Sequence, residues 1–417
     1  MTGLAWLSWG AVAAIALGGA LLRSGSFGLS RLILLSLYTL LILPILPRQG
    51  DNGGVALALH LTVYLDSLFL IRPRMRTTAY RIMISWPGQW FLASTLLALP
   101  WSVAAAIHLP LPHPWVPYAC GLIGLYQSLS TQRESVQLQI GNVPEVEPLQ
   151  RLTYERQRQR TKSQAQKGSP RSTHHQSKKS HQGKRSFKIA QITDPHLGPF
   201  LSTRRLYAIC QRIVEEEPDL VFLTGDFLTM ESKGSPDALA EALEPLKAIH
   251  QKVFACLGNH DHEAPEIVKN ALSKIGATLL IDEALVHETP AGPVQIIGFD
   301  FHFRNRQEKL LQVCQAAPRQ PELPRLALLH DPGEFQCLPE NEVDLAFSGH
   351  THGGQLGLVS LGLPWTIVGL LTSLPDYGFW GRGRSRLYVH RGTGHYGYSL
   401  RLGVPAEESQ LEVEYKS

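Results

Sequence analysis

Residues 349–354 have the sequence Gly-His-Thr-His-Gly-Gly, which places two imidazole side chains two positions apart. They follow an apolar run, residues 343–347, that predicts a buried strand. At the mouth of that strand His350 and His352 can each bind a different metal ion, and the neighbouring glycines let the backbone turn sharply beside a ligand. Two loop histidines alone are more often solvated than bound to metal, so the assignment needs further ligands.

Four other predicted strand ends carry side chains of the kind that bind metals. The residues concerned are Asp194, His196, Asp226, Asn259, His260, Asp261 and His330. In an α/β sheet such ends lie at one edge, where ligand sites form. Carboxylate, amide and imidazole groups together suit Mn, Fe or Zn better than they suit Ca or a thiolate site.

The elements that must hold these residues alternate between strand and helix patterns. We predict helices over residues 203–217, 238–250 and 263–275. Strands are predicted over residues 188–193, 220–224, 253–257, 294–299, 325–329 and 343–347, with short closing strands at 388–391, 400–402 and 411–415. Such alternation predicts a layered α/β architecture.

The order of these motifs resembles the calcineurin-like metallophosphoesterase superfamily across about residues 187–415. Transmembrane metallophosphoesterases are the most similar subgroup, because Gly392-Thr393-Gly394 and residues 401–405 resemble its C-terminal motifs. The subgroup usually has Pro-Glu after the arginine, whereas this chain has Pro405-Ala406-Glu407. The resemblance implies a four-layer α/β sandwich, with two mixed sheets flanked by helices, over residues 187–417.

The resemblance also implies two divalent metal ions and their ligands. One metal would be held by Asp194, His196 and His352, the other by Asn259, His330 and His350, with Asp226 bridging them. Mn is favoured over Fe and Zn. A carboxylate shared by two cations keeps them close enough to activate a water between them.

Three further residues are assigned from the resemblance and from their position. His260 resembles the acid that protonates the leaving group, a role that suits a side chain titrating near neutrality. Asp261 either orients His260 or caps the helix that follows. His395 comes after the Gly-Thr-Gly turn and either lines the substrate cleft or packs as an ordinary residue.

Residues 1–134 form a predicted transmembrane region of about five helices. The apolar stretches are residues 2–22, 32–47, 55–71, 82–107 and 115–129. Asp66 lies inside the third stretch with His60 nearby. An acid in a membrane span is a functional site, a satisfied polar contact between helices, or a side chain that extends towards the arginine-rich loop.

The distribution of arginines predicts the orientation. Arg23 and Arg31 lie between the first two stretches, and Arg72, Arg74, Arg76 and Arg81 between the third and fourth. Cytoplasmic loops are enriched in Lys and Arg. We therefore predict a multi-pass inner-membrane protein whose N-terminus is outside and whose catalytic domain faces the cytoplasm.

Residues 135–186 are predicted to contain a connecting strand, residues 136–140, and then a basic insertion. Residues 151–188 hold twelve Lys or Arg and one acid, Glu155, within a formal charge of +4 for the whole chain. Few aliphatic residues occur there, so we predict no folded structure. A nucleic-acid partner is disfavoured because only Tyr154 offers a stacking surface. The basic composition is compatible either with a segment that contacts anionic lipid headgroups or with a plain linker.

Residues 356–371, hereafter the lip, are apolar and interrupted by glycines. The segment is too short to span a bilayer. One interpretation is buried packing against the sheet; the other is an apolar surface beside the metals that admits acyl chains or enters the bilayer.

These features together predict a membrane-anchored dinuclear-metal hydrolase of phosphoester or pyrophosphate bonds. A lipid-linked substrate is favoured, with UDP-2,3-diacylglucosamine of lipid A biosynthesis as the specific candidate that the resemblance implies. A soluble phosphodiester or phosphomonoester is the alternative substrate class. A metal-bound membrane scaffold is the non-enzymatic alternative, against which all seven ligands and His260 argue. The oligomeric state is not predicted.

Overall fold

The N-terminal part of the chain is helical in the computed structural model, which describes residues 2–46, 53–109, 111–158 and 184–416. Uninterrupted apolar runs favour helices there, because only helices satisfy their own backbone hydrogen bonds in lipid. The helices are α1 (Thr2–Leu22), α2 (Gly25–Ile42), α3 (Gly53–Phe69), α4 (Thr78–Leu97, with a π-helical stretch at Arg81–Ser85), α5 (Leu99–Ala106) and α6 (Val116–Ser128).

Two of these helices, α1 and α2, are long and apolar enough to cross a membrane. The pair α4 and α5, bent by 65°, would supply a third span if it crosses as one unit, and α3 is a shorter apolar helix. The number of five spans therefore stays a prediction. The chain thus carries a helical membrane anchor at its N-terminus.

Two predicted stretches differ in detail from the helices. The helix predicted over residues 32–47 begins earlier, at Gly25, because the Ser24 side chain caps it by accepting a hydrogen bond from the Phe27 N–H. The stretch predicted over residues 82–107 is broken at Ala98. Pro100 lies in the first turn of α5, where the missing N–H is tolerated, so a new helix begins there.

Asp66 makes polar contacts between α3 and α4. Its carboxylate accepts hydrogen bonds from Ser85 Oγ at 2.9 Å, from Gln89 Nε2 at 2.7 Å and from Tyr80 Oη at 3.4 Å. These hydrogen bonds agree with the interpretation of Asp66 as a satisfied polar contact between helices.

The rest of the described chain is built around two mixed seven-stranded sheets. The order is β3-β1-β14-β4-β5-β6-β7 in the first sheet and β2-β12-β13-β11-β10-β9-β8 in the second. The strands are β1 (Thr131–Gly141), β2 (Val146–Arg151), β3 (Glu155–Arg158), β4 (Lys184–Ile192), β5 (Leu220–Thr224), β6 (Val253–Cys256), β7 (Thr278–Leu279), β8 (Glu283–Thr289), β9 (Gly292–Gly298), β10 (Arg325–Leu328), β11 (Leu345–Ser348), β12 (Gly378–Gly383), β13 (Ser385–Val389) and β14 (Ala406–Lys416).

The two sheets pack face to face, and helices cover their outer faces. Phe222, Phe254 and Phe347 meet in the core between the sheets. The helices are α7 (Thr203–Glu215), α8 (Ala238–Leu243), α9 (Pro265–Ile275), α10 (Arg306–Ala316) and the short α11 (Ile367–Leu371). Central parallel strands are buried on both faces, which is why β5 is apolar in almost every position. The predicted α/β sandwich is confirmed.

Strands that precede the basic segment in the chain belong to both sheets. β1 pairs in parallel with β14, and β2 pairs with β12. A buried ion pair of 2.8 Å joins Glu134 on β1 to Arg391 after β13. Our predicted division assigns residues 135–186 to a connecting region, whereas the strand predicted at residues 136–140 is part of β1 and lies inside the first sheet. Most of the predicted basic insertion, residues 159–183, lies outside the described residues.

The helical region contacts the domain through the loops that follow its strands. The Trp86 indole N–H donates to the Pro199 carbonyl at 3.0 Å, and Arg81 pairs with Glu231 at 3.4 Å. At the end of α6, Ser128 Oγ accepts a hydrogen bond of 2.8 Å from the Arg401 N–H. The N-terminal helices therefore lie against the face of the domain where the strands β4 and β5 end.

The lip leaves the domain beside this same contact. Leu356 bridges to Leu402 and Gly403, next to the α6 contact, and Gly357 bridges to Thr366. Thr366 is buried and its hydroxyl bonds to Asp376, which anchors the segment. Most of the large apolar side chains are nevertheless exposed: Leu358, Leu361, Leu363, Trp365, Ile367, Leu370 and Leu371. The packing interpretation therefore holds for Thr366 but not for these side chains.

Candidate metal centre

Five strand ends bring the predicted ligands together. Asp194 and His196 follow β4, Asp226 follows β5 and Asn259 follows β6 in the first sheet; His330 follows β10 and His350 and His352 follow β11 in the second. The carboxyl ends of β4, β5 and β6, and those of β10 and β11, run in parallel, so their loops emerge at one edge of each sheet. The site therefore lies where the two sheets meet.

The first cluster consists of Asp194, His196 and His352. One potential ligand atom from each lies within 4.8 Å of the others. His352 Nε2 is 3.4 Å and His196 Nε2 is 3.8 Å from Asp194 Oδ1. All three side chains are buried, so an ion held there is well shielded from solvent.

The second cluster consists of Asp226, His330 and His350, again within 4.8 Å. Asp226 Oδ2 lies 3.3 Å from His330 Nε2 and 3.5 Å from His196 Nε2, which belongs to the first cluster. One carboxylate oxygen thus faces both clusters, which is the arrangement that a bridging ligand requires.

Several buried ligand atoms have no hydrogen-bond partner among the described residues. They are Asp194 Oδ1, His196 Nε2 and Asn259 Oδ1. Leaving such an atom unsatisfied costs about 1–3 kcal/mol, so folded proteins rarely tolerate several together without a ligand. Asn259 lines the same groove as His196, Asp226 and His350. The donor set therefore fits two divalent cations with mixed oxygen and nitrogen ligands.

Hydrogen bonds with neighbouring groups fix which atom of Asp194 and of His330 faces the site. Asp194 Oδ2 accepts from Thr193 Oγ1 at 2.8 Å and from the His350 N–H at 2.9 Å, which leaves Oδ1 free. Nδ1 of His330 lies 2.7 Å from the Thr224 carbonyl. A ring that donates from Nδ1 directs Nε2 at the site, as metal-binding histidines do. Burial lowers the pKa of His330, but the charge of Asp226 and the hydrogen bond to it outweigh burial and raise this pKa to about 10, so this ring releases its Nε2 proton when a cation binds.

Five of the ligands have left-handed backbone conformations. The φ angles are +49° at Asp194, +41° at His196, +57° at Asp226, +65° at His350 and +51° at His352. This conformation is uncommon for residues other than glycine and persists only where the surroundings enforce it. Local strain is therefore concentrated at the metal-binding edge.

Burial keeps most of the imidazoles neutral, the form that binds metal. It lowers the pKa of His196 to about 3 and holds the pKa of His352 well below its usual range. Burial, with the neighbouring His330, lowers the pKa of His350 to about 4. These three rings need lose no proton when a cation binds.

His260 lies at the rim of the site and contacts Glu263. Its Nδ1 is 2.6 Å from Glu263 Oε1, and its backbone N–H donates to Asp226 Oδ1 at 2.8 Å. Burial lowers the pKa of His260, but the hydrogen bond to Glu263 and the charge of Asp226 outweigh it, so that the pKa is raised. The carboxylate beside His260 is thus Glu263, which the sequence analysis did not identify.

Asp261 has partners that differ from both of our predicted ones. Its carboxylate accepts backbone N–H groups from Asp226 at 2.8 Å, Phe227 at 2.9 Å and Gly258 at 2.8 Å. The side chain points back between the loops after β5 and β6, where these three backbone N–H donors converge. Asp261 therefore holds the loops that carry Asp226 and Asn259, and neither orients His260 nor caps α9.

His395 does not line the groove over the clusters. The residue is 5% exposed, and its ring packs 4.4 Å from that of Phe200. The groove wall is formed instead by Tyr396, whose ring stacks on His196 at 5.0 Å. A tyrosine in a glycine-rich loop carries no metal signature, so the sequence offered no signal for it.

A groove of about 380 Å³ lies over the two clusters. Its lining includes Tyr396, Gly397 and Tyr398, Val368 of the lip, and Thr372 and Leu374 just beyond the lip. The groove over the clusters therefore has apolar as well as polar lining.

Comparison with known proteins matches the ligand-bearing part of the chain to one family. The model of the calcineurin-like phosphoesterases covers residues 187–354. Members of this family use a dinuclear divalent metal centre, and the two clusters described above supply ligands for one. The match includes the ligands from Asp194 to His352.

Three relatives illustrate the range of similarity. The phosphodiesterase YaeI of Escherichia coli is 30% identical over 232 residues, which are 54% of this chain and 82% of YaeI. The UDP-2,3-diacylglucosamine pyrophosphatase LpxG of Chlamydia muridarum is 26% identical over 55% of this chain and 84% of its own length. A transmembrane protein with metallophosphoesterase domain from Bos taurus is 25% identical over 55% of this chain and 53% of its own.

The identity to YaeI extends over most of that protein, and the matched region contains both clusters. The relatives include phosphodiesterase and pyrophosphatase enzymes. The chain belongs to the calcineurin-like phosphoesterases and is a metal-dependent phosphoester hydrolase with apolar N-terminal helices.

Proposed function

We propose that this protein hydrolyses a phosphoester or pyrophosphate bond of a lipid-linked substrate at the membrane surface. The observation that carries the proposal is the position of the metal-binding edge, which lies on the face of the domain that contacts the apolar helices. The loops after β4 and β5 supply metal ligands and also contact α4. A substrate anchored in the bilayer would reach such a site without leaving the membrane.

The lip supports the same substrate class. Trp365 is 54% exposed and Leu371 is 75% exposed, and Val368 of the same segment lines the groove. Exposed apolar surface beside a polar active site suits a substrate with both kinds of group. Acyl chains lying on the lip would be withdrawn from water at about 0.8 kcal/mol per CH₂.

UDP-2,3-diacylglucosamine is the specific substrate that we favour. It joins two acyl chains to a pyrophosphate and a uridine, and one relative, LpxG, is a UDP-2,3-diacylglucosamine pyrophosphatase. Hydrolysis by one water would give UMP and diacylglucosamine 1-phosphate. A soluble phosphodiester is the alternative, favoured by the similarity to the phosphodiesterase YaeI.

In this proposal the two clusters hold one cation each. Asp194, His196 and His352 would hold the first, Asn259, His330 and His350 would hold the second, and Asp226 would be shared between them. We favour Mn over Fe and Zn. Bound divalent cations supply Lewis acidity that activates water and neutralises charge on the phosphoryl oxygens.

His260 completes the chemistry as the general acid. Its Nδ1 is held by Glu263, which orients the ring and stabilises its protonated form. The proton on Nε2 then passes to the leaving oxygen as the bond to phosphorus breaks, which reduces the charge on a departing phosphate, or prevents an alkoxide from forming when the substrate is a simple phosphoester. Tyr396 stacks against His196 and keeps bulk solvent from that side of the site.

Paired assays test the function. We expect the purified full chain with Mn²⁺ to release UMP from UDP-2,3-diacylglucosamine in mixed micelles with a higher kcat/KM than for bis-p-nitrophenyl phosphate. Mg²⁺ and Zn²⁺ are compared in parallel, and EDTA should abolish both activities. Hydrolysis of the soluble diester without turnover of any lipid-linked substrate would favour the soluble alternative.

We further propose an inner-membrane location with the domain in the cytoplasm. Arg23, Arg76 and Arg81 all contact the loop 230–231 of the domain, so the arginine-rich loops and the domain share one side. Lys and Arg are enriched on the cytoplasmic side.

Reporter fusions test this orientation. A reporter fused after residue 417 should be active only if it functions in the cytoplasm, and one inserted within residues 108–114 only if it functions outside. The reverse pattern would contradict the orientation and, with it, access to a cytoplasmic lipid substrate.

A further inference from the structure

A cavity of about 280 Å³ lies between the membrane helices and the domain, and the metal clusters do not line it. Residues of α2, α3 and α4 form one side, and the loops after β4 and β5 form another. The third side is residues 396–398, hereafter the strap.

The wall of this cavity has an apolar and a polar part. Leu34, Val63 and Leu92 come from three different helices and form an apolar part inside the helical region. Arg31 and Gln89 belong to the polar part, which lies nearer the domain and also includes the carboxyl groups of Asp66 and Glu231. Both carboxyl groups already have protein partners, because Gln89 donates to Asp66 and Arg81 pairs with Glu231, so Arg31 is the lining cation that can face an added anion. A cavity with this division suits an amphiphile whose chain points into the helices.

Two polar side chains on the wall have unused hydrogen-bonding capacity. Nε of Arg31 is buried without a hydrogen-bond partner among the described residues. His395 is nine-tenths buried and lines the cavity, and neither of its ring nitrogens makes a hydrogen bond of good geometry, although the Ser399 backbone lies nearby. Buried groups of this kind normally have partners, so they indicate a polar ligand group at this end.

The strap is a common wall of the cavity and the metal groove. Tyr396, Gly397 and Tyr398 line both spaces. On the groove side the Tyr396 ring stacks on His196, and towards the helices the Tyr398 hydroxyl donates to the Ala93 carbonyl of α4 at 2.9 Å. A molecule in the cavity would therefore be one side chain away from the metal ligands.

We propose that this cavity binds an acyl chain of a membrane lipid, with the chain among Leu34, Val63 and Leu92 and the phosphate-bearing head facing Arg31. The inference rests on the proposed function in one respect: the lipid that the metal centre hydrolyses is the natural occupant. The cavity itself is tested by binding, independently of turnover.

The test is photo-crosslinking of the full chain in micelles. The probe is a phosphatidic acid with a diazirine near the ester end of one acyl chain, where it would face the domain loops that line the polar part, and the labelled residues are mapped by mass spectrometry. The same acyl chain on a diacylglycerol serves as the uncharged probe. Leu34→Trp fills the apolar part, Arg31→Gln removes the cation, and Leu37→Trp is the matched control because Leu37 is 46% exposed on the same helix.

We expect phosphatidic acid to label the loops at residues 199–200, 229–231 or 395–399 in addition to the outer faces of the helices. Leu34→Trp should reduce the loop labelling about tenfold, whereas Leu37→Trp should leave it unchanged. Arg31→Gln should remove the preference for phosphatidic acid over diacylglycerol. Labelling confined to lipid-facing residues in the wild-type protein would overturn the proposal whatever the variants do.

Failure of the proposed function would give a different result. The soluble diester would be hydrolysed and no lipid-linked substrate would be turned over, yet the loop labelling would remain. Conversely, turnover of the lipid-linked substrate with no loop labelling would overturn the cavity assignment and leave the proposed function in place.

Discussion

At the metal centre, polar atoms are buried without hydrogen-bond partners, whereas in the lip large apolar side chains are exposed. Asp194 Oδ1 and His196 Nε2 represent the first region, and Trp365 and Leu371 the second. Each arrangement costs free energy in the isolated chain, in one case through unsatisfied hydrogen bonding and in the other through hydration of apolar surface. In our proposal each region is therefore completed by a non-protein partner: metal ions at the metal centre and lipid at the lip.

The two regions also differ in how they are held. Backbone contacts and buried hydrogen bonds determine the position of Asp194 and Asp226. In the lip, the buried Thr366 with its bond to Asp376 is an anchor among exposed neighbours. Substitutions at the metal centre should therefore affect chemistry on every substrate, and substitutions in the lip should affect only substrates that contact it.

The largest effect is expected for Asp226→Asn. The change keeps the shape of the side chain but removes the charge that both clusters share, so metal content should fall and kcat/KM should drop about 10³-fold, or about 4 kcal/mol. Elemental analysis and hydrolysis of a soluble diester measure the two quantities.

Asp237→Asn is the matched control, because Asp237 is exposed and pairs only with Lys274 in the described chain. Two bound metals together with activity within a factor of about two of the wild type would refute the bridging assignment.

His260→Ala should have the next largest effect. Metal content should remain, while turnover of substrates with poor leaving groups should fall by roughly 10²–10⁴ because no acid protonates the leaving oxygen. An activated p-nitrophenyl substrate should lose much less. His262→Ala is the matched control, since His262 faces Asp300 instead of Glu263.

Glu263→Gln should reproduce the His260→Ala pattern at smaller magnitude, about tenfold, because the ring loses its charged partner but stays in place. Equal losses on both leaving groups would instead indicate that His260 only positions the substrate.

The smallest and most selective effect is expected in the lip. The double variant Trp365→Ser with Ile367→Ser should keep its melting temperature and its activity on soluble diesters, because both side chains are partly exposed. Its kcat/KM for the lipid-linked substrate should fall at least about tenfold, since several CH₂ groups lose apolar contact at about 0.8 kcal/mol each.

Thr366→Ala between them is the control, and it should lower the melting temperature and both activities. A double variant that melts lower and loses both activities in parallel would show that the lip is core, and the lipid interpretation would end there.

The residues of the two clusters could be predicted from the sequence because they lie directly after apolar strands. Strand ends are readable from local composition, and the sheet brings them together without any further information. Asp226 and His350 illustrate this: their neighbours in the chain already show where a strand stops. The alternation of strands and helices could be predicted for the same reason, because it too depends on local sequence patterns.

The roles of Asp261 and Glu263 could not be predicted in this way. The residues are two positions apart in a short 3-10 turn, and the path of that turn decides which carboxylate points to His260 and which points back to the backbone of Asp226. Side-chain direction in such a turn depends on the loops packed against it. The local sequence therefore does not predict which of the two carboxylates contacts His260.

Distant contacts were equally hidden. The cavity beside the strap combines residues from α2, α3, α4 and three loops of the domain, so no stretch of sequence contains its pattern. The pairing of β1 with β14 joins Thr131 to Ala406. Local signals predicted that β1 is a strand but could not assign its partner.

That pairing has a consequence for how the protein is made. β14 lies between β1 and β4, so the first sheet remains in two pieces until residues 406–416 have been synthesised. At about 5–20 residues per second, β1 waits tens of seconds on the ribosome for its neighbour, long after the membrane helices have emerged. During that interval β1 and β4 expose unpaired backbone edges, which favour aggregation. The first sheet is therefore completed only after translation has passed β14, and a nascent chain stalled before that point would be tethered to the membrane with an open sheet.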